Sequence, residues 1–444
     1  VDADCRPDPS NGQGPDKKLD KNEMTRNKMI GWKRGAPLVG LGLTVLLTGC
    51  AGFFVDPSAG NGLPGSSGGS TGSGGATPSI TGDFVYTVNN ANSMSGFAVG
   101  TSALTSLFTP IGLPYPLSSG SSIAITRDNT LLFVGGNGGL VSYNISSSGT
   151  LTAVSGGATV EQANFISMAT SPDGKWLLAL DNESNVIYVF SIEYTNRIAN
   201  YQNQYTINIG GTVISSATSP ARSLAISPDG TMVAVAVGTS GDEVYSFNTS
   251  TGVLTGVTAV PAPGAPYIDD SVAFDGSFNA SAGTATASTH LFIGRGLIAS
   301  GESEIVTYGV NAGTLSGTPT ATIGAGQNVD EQNPYQLLVD PTGAYLYSAN
   351  RASVTSTISA YSLAAATSVL TPLANSPFTS GIQLTALAED NSKTQLLAAA
   401  AGGSPDLTMY TFSTVAGAGG QLTQTTTASN GTTTAGIVAL ATTH

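Results

Sequence analysis

Three observations predict an all-β fold, and within it a seven-bladed β-propeller of four-stranded blades. They are hydrophobic runs of period two, a unit that recurs along the chain, and a last unit completed only by pooling both ends of the body. The runs are short and rich in β-branched and aromatic residues, as in Phe84-Val85-Tyr86-Thr87-Val88, Leu131-Leu132-Phe133-Val134 and Val186-Ile187-Tyr188-Val189-Phe190. Gly, Asn, Asp and Ser punctuate them. No long stretch carries a helical apolar stripe.

Each unit reads as an apolar strand, a turn with an Asp, a second strand, a polar loop, a third strand bearing Tyr or Phe, and a Gly-Xaa-Leu hairpin. The turn acids are Asp128, Asp173, Asp229, Asp275, Asp340 and Asp390. In Ser171-Pro172-Asp173-Gly174 and Ser227-Pro228-Asp229-Gly230, Pro presets φ, Asp bonds the backbone two residues on, and Gly accepts positive φ. These acids are therefore read as hairpin turns and not as catalytic groups. The third strands carry Tyr143, Tyr188, Tyr245, Tyr308, Tyr361 and Tyr410, and the hairpins start at Gly149, Gly252, Gly313 and Gly420. That makes six units. For the seventh, the run Gly436–Ala441 supplies a first strand and the runs from Asp83 onward supply the rest. Division by seven gives about 52 residues per unit, close to the ~40–50 a four-stranded blade needs. Tandem immunoglobulin-like sandwiches would need roughly 100. Closure also removes the free edges that template aggregation.

Only 10% of residues are charged, where ~25% is usual, which argues against a coiled coil or a charged disordered tail. The net charge is −13, and beyond residue 50 only seven bases face 22 acids. Nucleic acid is excluded as a partner, because neutralising phosphates takes clustered cations.

The sequence divides into 1–23, a polar segment given no structure; 24–49, a lipoprotein signal peptide; 50–82, a lipidated Cys with a Gly/Ser-rich linker; and 83–444, the propeller. Arg26, Lys28, Lys33 and Arg34 precede the apolar stretch Leu38–Leu47, which is too short to span a bilayer but long enough for a secretory h-region. It ends in Leu47-Thr48-Gly49-Cys50, which resembles the lipobox of bacterial lipoproteins. The resemblance implies diacylglycerol on Cys50, a membrane partner through that lipid and a place in the cell envelope. With Ala51 next, the outer membrane is favoured. Cys5 lies upstream, so the mature body holds no disulfide. A monomer is expected.

Phe84-Val85-Tyr86-Thr87-Val88-Asn89-Asn90 and Leu346-Tyr347-Ser348-Ala349-Asn350, beside the Ser-Pro-Asp-Gly turns, resemble the Tyr-Val-Thr-Asn repeats of the seven-bladed lactonase family, which includes propeller-type 6-phosphogluconolactonases. The resemblance covers residues 83–444 and rests on structural motifs, which specify fold better than chemistry. Family members with catalytic claims show a Pro-Arg-His-like step before a first strand. Here Pro220-Ala221-Arg222-Ser223 keeps the Arg and has Ser in place of His. The two histidines, His290 and His444, fall away from the mouth where propeller ligands bind.

Sorting charges by loop puts Arg222, Arg295 and Arg351 on the presumed binding face, with Glu161, Asp269, Asp270, Asp330 and Glu331. Guanidinium forks match carboxylate and phosphate, so the arginines are a candidate oxyanion clamp. Asp269, Asp270 and Asp330 are candidate ligand-binding acids. No metal site and no cofactor is expected, since two His and no mature Cys leave no transition-metal cluster. Two functions follow: a binding or scaffold module for a small anion, glycan or protein, and, as the alternative, a lactone hydrolase. In the latter Arg222 polarises the carbonyl while a carboxylate, Glu161 or Glu331, activates water. Arginines each paired on the rim favour the module; convergence on one pocket with one acid favours the hydrolase.

Overall fold

The computed structural model describes residues 80–444 apart from 115, 158–159, 280–283, 298–302, 325–332, 365–368, 403, 416 and 431–435. It is a seven-bladed propeller. Blades 2 to 7 begin with the first strands Ser119–Ile125, Phe165–Thr170, Ser223–Ile226, Tyr267–Phe274, Asn333–Val339 and Ile382–Glu389, and each continues outward by antiparallel pairing. Blade 1 is composite. Its first strand is Ile437–Thr442, paired with Phe84–Asn89 in the register Val85↔Thr442 to Val88↔Ala439. The join extends past the strands: Thr443 N donates to Phe84 O at 2.9 Å, and Phe84 N donates to Thr443 Oγ1 at 2.9 Å. Cys50 and the leader lie outside the described residues.

First strands of successive blades contact one another in a closed ring, which makes them the innermost strands around a central channel. The core is not one mass but a seam between each pair of neighbouring blades. On Leu131–Asn137, for example, Leu132 and Val134 pack towards blade 1 while Leu131 and Phe133 pack towards blade 3. Successive side chains of a strand point to opposite faces, and here both faces are buried. That is why second strands read as unbroken apolar runs such as Met232–Ala236 and residues 396–401.

The Asp turns do the structural work expected of them, in two registers. Asp173 and Asp229 sit inside their turns and accept from Ser171 Oγ and Ser227 Oγ at 2.6 Å. Asp340 and Asp390 stand two places earlier and accept the backbone N–H groups of Tyr345 and Gln395 at 2.7 and 2.8 Å. In blade 5 the same earlier place holds Asp275, which bonds His290 Nδ1 at 2.6 Å. His290 is thus a buried partner of a turn acid on the face remote from the candidate mouth.

The hairpin glycines also gain a reason. Aromatic side chains of second strands reach across three of the seams to the next blade's hairpin: Tyr86 OH donates to Gly149 O, Tyr347 OH to Gly420 O, both at 2.8 Å, and Trp176 Nε1 to Thr249 O at 2.6 Å. Gly252 has φ +72°, and a Cβ there would overlap the Trp176 ring. Replacing Tyr347 by Phe leaves a buried carbonyl unpaired, so Tyr347→Phe is expected to cost about 1–2 kcal/mol in urea unfolding. A Tyr347→Phe variant with unchanged stability would show that the clamp is idle.

Candidate functional site: the channel mouth at blades 4 to 6

At the end of the first strands away from the Asp turns, six of the seven strands skip one residue in their pairing. The skipped residues are Ser121, Ile166, Asp270, Tyr335, Thr385 and Val438. A skipped residue is freed from the pleat and can be re-aimed. In blade 4 the equivalent place, just before Ser223, is Arg222, whose N–H donates to Ala236 O at 2.9 Å. The seven form a ring round one mouth of the channel. Around blades 7, 1, 2 and 3 it is hydroxyl or aliphatic, and the hydroxyls are used up: Ser121 Oγ donates to Phe165 O and Thr385 Oγ1 to Ile437 O, both at 2.9 Å. Around blades 4, 5 and 6 it is Arg222, Asp270 and Tyr335.

Arg222 and Asp270 join blades 4 and 5 through Nη1–Oδ1 at 2.9 Å. The Asp270 side chain is 3% exposed and the Arg222 side chain 36%, so it is the cation's side chain, not the acid's, that meets solvent. Tyr335 is exposed and carries the Arg351 guanidinium over its ring, 4.6 Å from the centroid. Arg351 also acts electrostatically on Asp270. Two features hold Arg222 in place. Buried Asn185, at φ +52°, accepts Ala221 N at 2.7 Å and donates to Ser219 O at 2.9 Å, pinning the chain ahead of it. Behind Asp270, a Cβ at Gly296 would overlap Oδ2, so only glycine lets the carboxylate sit there.

Beneath this lies an ionic network facing inward. Arg295, 11% exposed, donates from Nε to Asp269 Oδ1 at 2.7 Å and from Nη1 to Glu304 Oε1 at 3.0 Å. Burial alone would lower Arg295, but Asp269 and Glu304 more than offset that and raise it above its ordinary value. Asp242 and Asp269 are fully buried and act on each other as like charges, and the Oδ2 of each is buried without a hydrogen-bond partner. Burial, then the like charge of Asp269, raises Asp242 well above its ordinary value, which favours its protonated form. Burial pushes Asp269 and Asp270 to about 6 against the opposing pull of their arginines.

Of the residues singled out in the sequence, Arg222, Asp270 and Arg351 are brought together at the mouth. Arg295 and Asp269 lie under it, already paired. Glu161 stands in the connection between blades 2 and 3, exposed at φ +51°, and no hydrogen bond or ion pair joins it to any of these arginines. Asp330 and Glu331 lie outside the described residues. Among the described residues no group of three or more His, Cys, Asp or Glu is arranged to hold a metal ion. Tyr335, Asp242, Glu304 and Asn185 were not expected. Tyr335 could have been found by aligning the blades on the first strand, which gives it the same place in blade 6 as Arg222 in blade 4 and Asp270 in blade 5.

No family model and no curated protein matches the chain in sequence. Solved structures match it in fold. A candidate 6-phosphogluconolactonase of Bacteroides uniformis superposes with TM-score 0.61 at 16% identity, covering 81% of this chain and 99% of that one. A second, from Bacteroides fragilis, gives 0.60 at 15%, covering 82% and 98%. The periplasmic gluconolactonase of Pseudomonas aeruginosa gives 0.58 at 16%, covering 82% and 99%. The class this defines is the seven-bladed lactonase-type β-propeller. At such identities the likeness is one of fold.

The buried acids have a consequence for stability. Asp83, Asp269, Asp270 and Asp406 are each raised to about 6 and Glu243 to about 7, all chiefly by burial. A raised acid binds its proton more tightly folded than unfolded, so its contribution is fullest below the unfolded value and falls as pH rises through the folded one. Asp275 has the opposite sign: burial raises it, but hydrogen bonds from His290 and Thr289 bring it below its ordinary value, so its contribution is lost only in stronger acid. Melting is therefore expected at a higher temperature near pH 5 than near pH 8, with the difference reduced in Asp242→Asn. Calorimetry giving the reverse order of Tm would contradict these assignments.

Proposed function

We propose that the chain is an envelope-anchored, lactonase-type propeller acting as a binding module for a small organic anion at the mouth of blades 4 to 6. One observation carries this reading. Arg222 pairs with the buried carboxylate of Asp270, Arg351 from another blade acts on that same carboxylate, and the Arg222 side chain stays partly in solvent. Among the described residues of the mouth's outer layer, two cations, Arg222 and Arg351, stand to one acid, Asp270, in an otherwise acidic body. A carboxylate can take the free edge of Arg222, while Tyr335, with Arg351 on its ring, offers a flat apolar face for a sugar-acid chain. The lipobox ending at Cys50 would tether this mouth to the membrane.

A second reading, lactone hydrolysis, is supported by the same accessible Arg222 in Pro220-Ala221-Arg222-Ser223 and by the lactonases among the structures that share the fold. Arg222 would polarise the lactone carbonyl, and a carboxylate would activate water. The carboxylate that Arg222 meets is Asp270, whose second oxygen is buried without a hydrogen-bond partner. That burial favours binding over turnover.

Both readings are tested on the full chain by titration calorimetry with gluconate, run beside a hydrolysis assay on gluconolactone. Gluconate binding that weakens about tenfold in Arg222→Ala, the worth of roughly one charge-assisted hydrogen bond, with no turnover, is the expected result. Turnover lost in Arg222→Ala would establish the hydrolase instead. Binding indifferent to Arg222→Ala would overturn both. For the tether, Cys50→Ser is expected to move the protein from the membrane to the soluble fraction; a variant still sedimenting with lipid at high salt would refute it.

A further inference from the structure

The other end of the channel holds a set of groups that this mouth does not use. The seven innermost strands end, at the Asp-turn side, in Thr442, Ile125, Thr170, Ile226, Phe274, Val339 and Glu389. Glu389 is the one ionisable residue of that ring, and it is 7% exposed. A cavity of about 340 Å³ opens there, walled by aliphatic residues including Ile125, Leu338 and Leu387, with Glu389 in its lining and Lys393 and His444 at its rim. Glu389 Oε1 is buried and has no hydrogen-bond partner among the described residues.

A carboxyl oxygen buried without a donor, facing a cavity, needs a donor from elsewhere. The acids around Glu389 do not supply one. Asp340 and Asp390 act on it as like charges, and their own oxygens are taken by the turn N–H groups of Ala344, Tyr345, Thr394 and Gln395. Asp83 accepts from Asn391 N at 3.1 Å. The rim has the opposite sign. Burial, with the charges of Arg127 and Lys393, takes His444 down to about 3 and keeps it neutral. Burial and the neighbouring acids push Glu389 up to about 8, with Lys393 opposing them. The cavity thus offers an acceptor inside, a cation at the rim and apolar walls between.

We propose that this cavity is a second binding site, for a zwitterionic amino acid with an apolar side chain. The ammonium donates to Glu389, the carboxylate meets Lys393, and the side chain lies against Ile125, Leu338 and Leu387. The volume is at the small end of ligand pockets, ~300–1,000 Å³, which suits a leucine-sized molecule.

The test is titration calorimetry on the full chain with L-leucine, glycine, 4-methylpentanoate and 3-methylbutylamine, which in turn keep all three features or lack the side chain, the ammonium or the carboxylate. Leucine is expected to bind at least about tenfold more tightly than each of the others. At neutral pH it should release protons, seen as a buffer-dependent heat, because an ammonium on Glu389 ionises it. Glu389→Gln and the exposed Lys393→Ala should each weaken leucine about tenfold. Leucine that fails to bind, that binds no better than the amine or the acid, or whose affinity is unchanged in both variants overturns the proposal.

Discussion

The pairing of Ile437–Thr442 with Phe84–Asn89 is the constraint on which the rest depends. Each blade buries its second strand on both faces, so no blade has a solvent side on which to stop. An open row of blades would expose Val85, Phe97 and Leu440 at one end and Leu397, Ala399 and Leu407 at the other, which in the closed ring share one seam. Closure turns those two apolar faces into a core, and it does so without disulfides.

A closed ring of near-equivalent blades also creates near-equivalent positions, and the candidate site is a local departure from that equivalence. Ser121, Ile166, Thr385 and Val438 occupy the same place round the mouth as Arg222, Asp270 and Tyr335, yet bind nothing charged. The departure is costly to bury, so it comes with support below it: Arg295 pairs with both Asp269 and Glu304, and burial beside them favours the protonated form of Asp242. Removing one member of such a network leaves an uncompensated buried charge, which is why the layer is read as the mouth's foundation and not as a second clamp.

The fold was legible because each blade must repeat the same local solutions. Pro-Asp-Gly turns, the third-strand tyrosines and the hairpin glycines are all backbone chemistry, visible at single residues. The site was only half legible. Arg222, Asp270 and Arg351 stood out as rare charges in a chain that has few. Tyr335 did not, since an aromatic in a strand reads as core. An alignment of units on their turn acids shifts the ring by two residues in blades 5 to 7, where Asp275, Asp340 and Asp390 take the place of Ser171 and Ser227. Arg295 looked like a partner of Arg222 because loop position says nothing about which side of a strand a side chain takes. Asn185, at positive φ, is one polar loop residue among many in the sequence, whereas in the structure it holds the chain ahead of Arg222.

Hydrogen exchange on the full chain probes the closure most directly. If the two ends share one sheet, the amides of Phe84–Asn89 and Ile437–Thr442 exchange together, as slowly as the inner strands Leu131–Asn137 and Trp176–Asp181. Fast exchange of Ile437–Thr442 while those inner strands stay protected would mean that the ring is not shut by its own tail, and the mouth derived from it would lose its geometry.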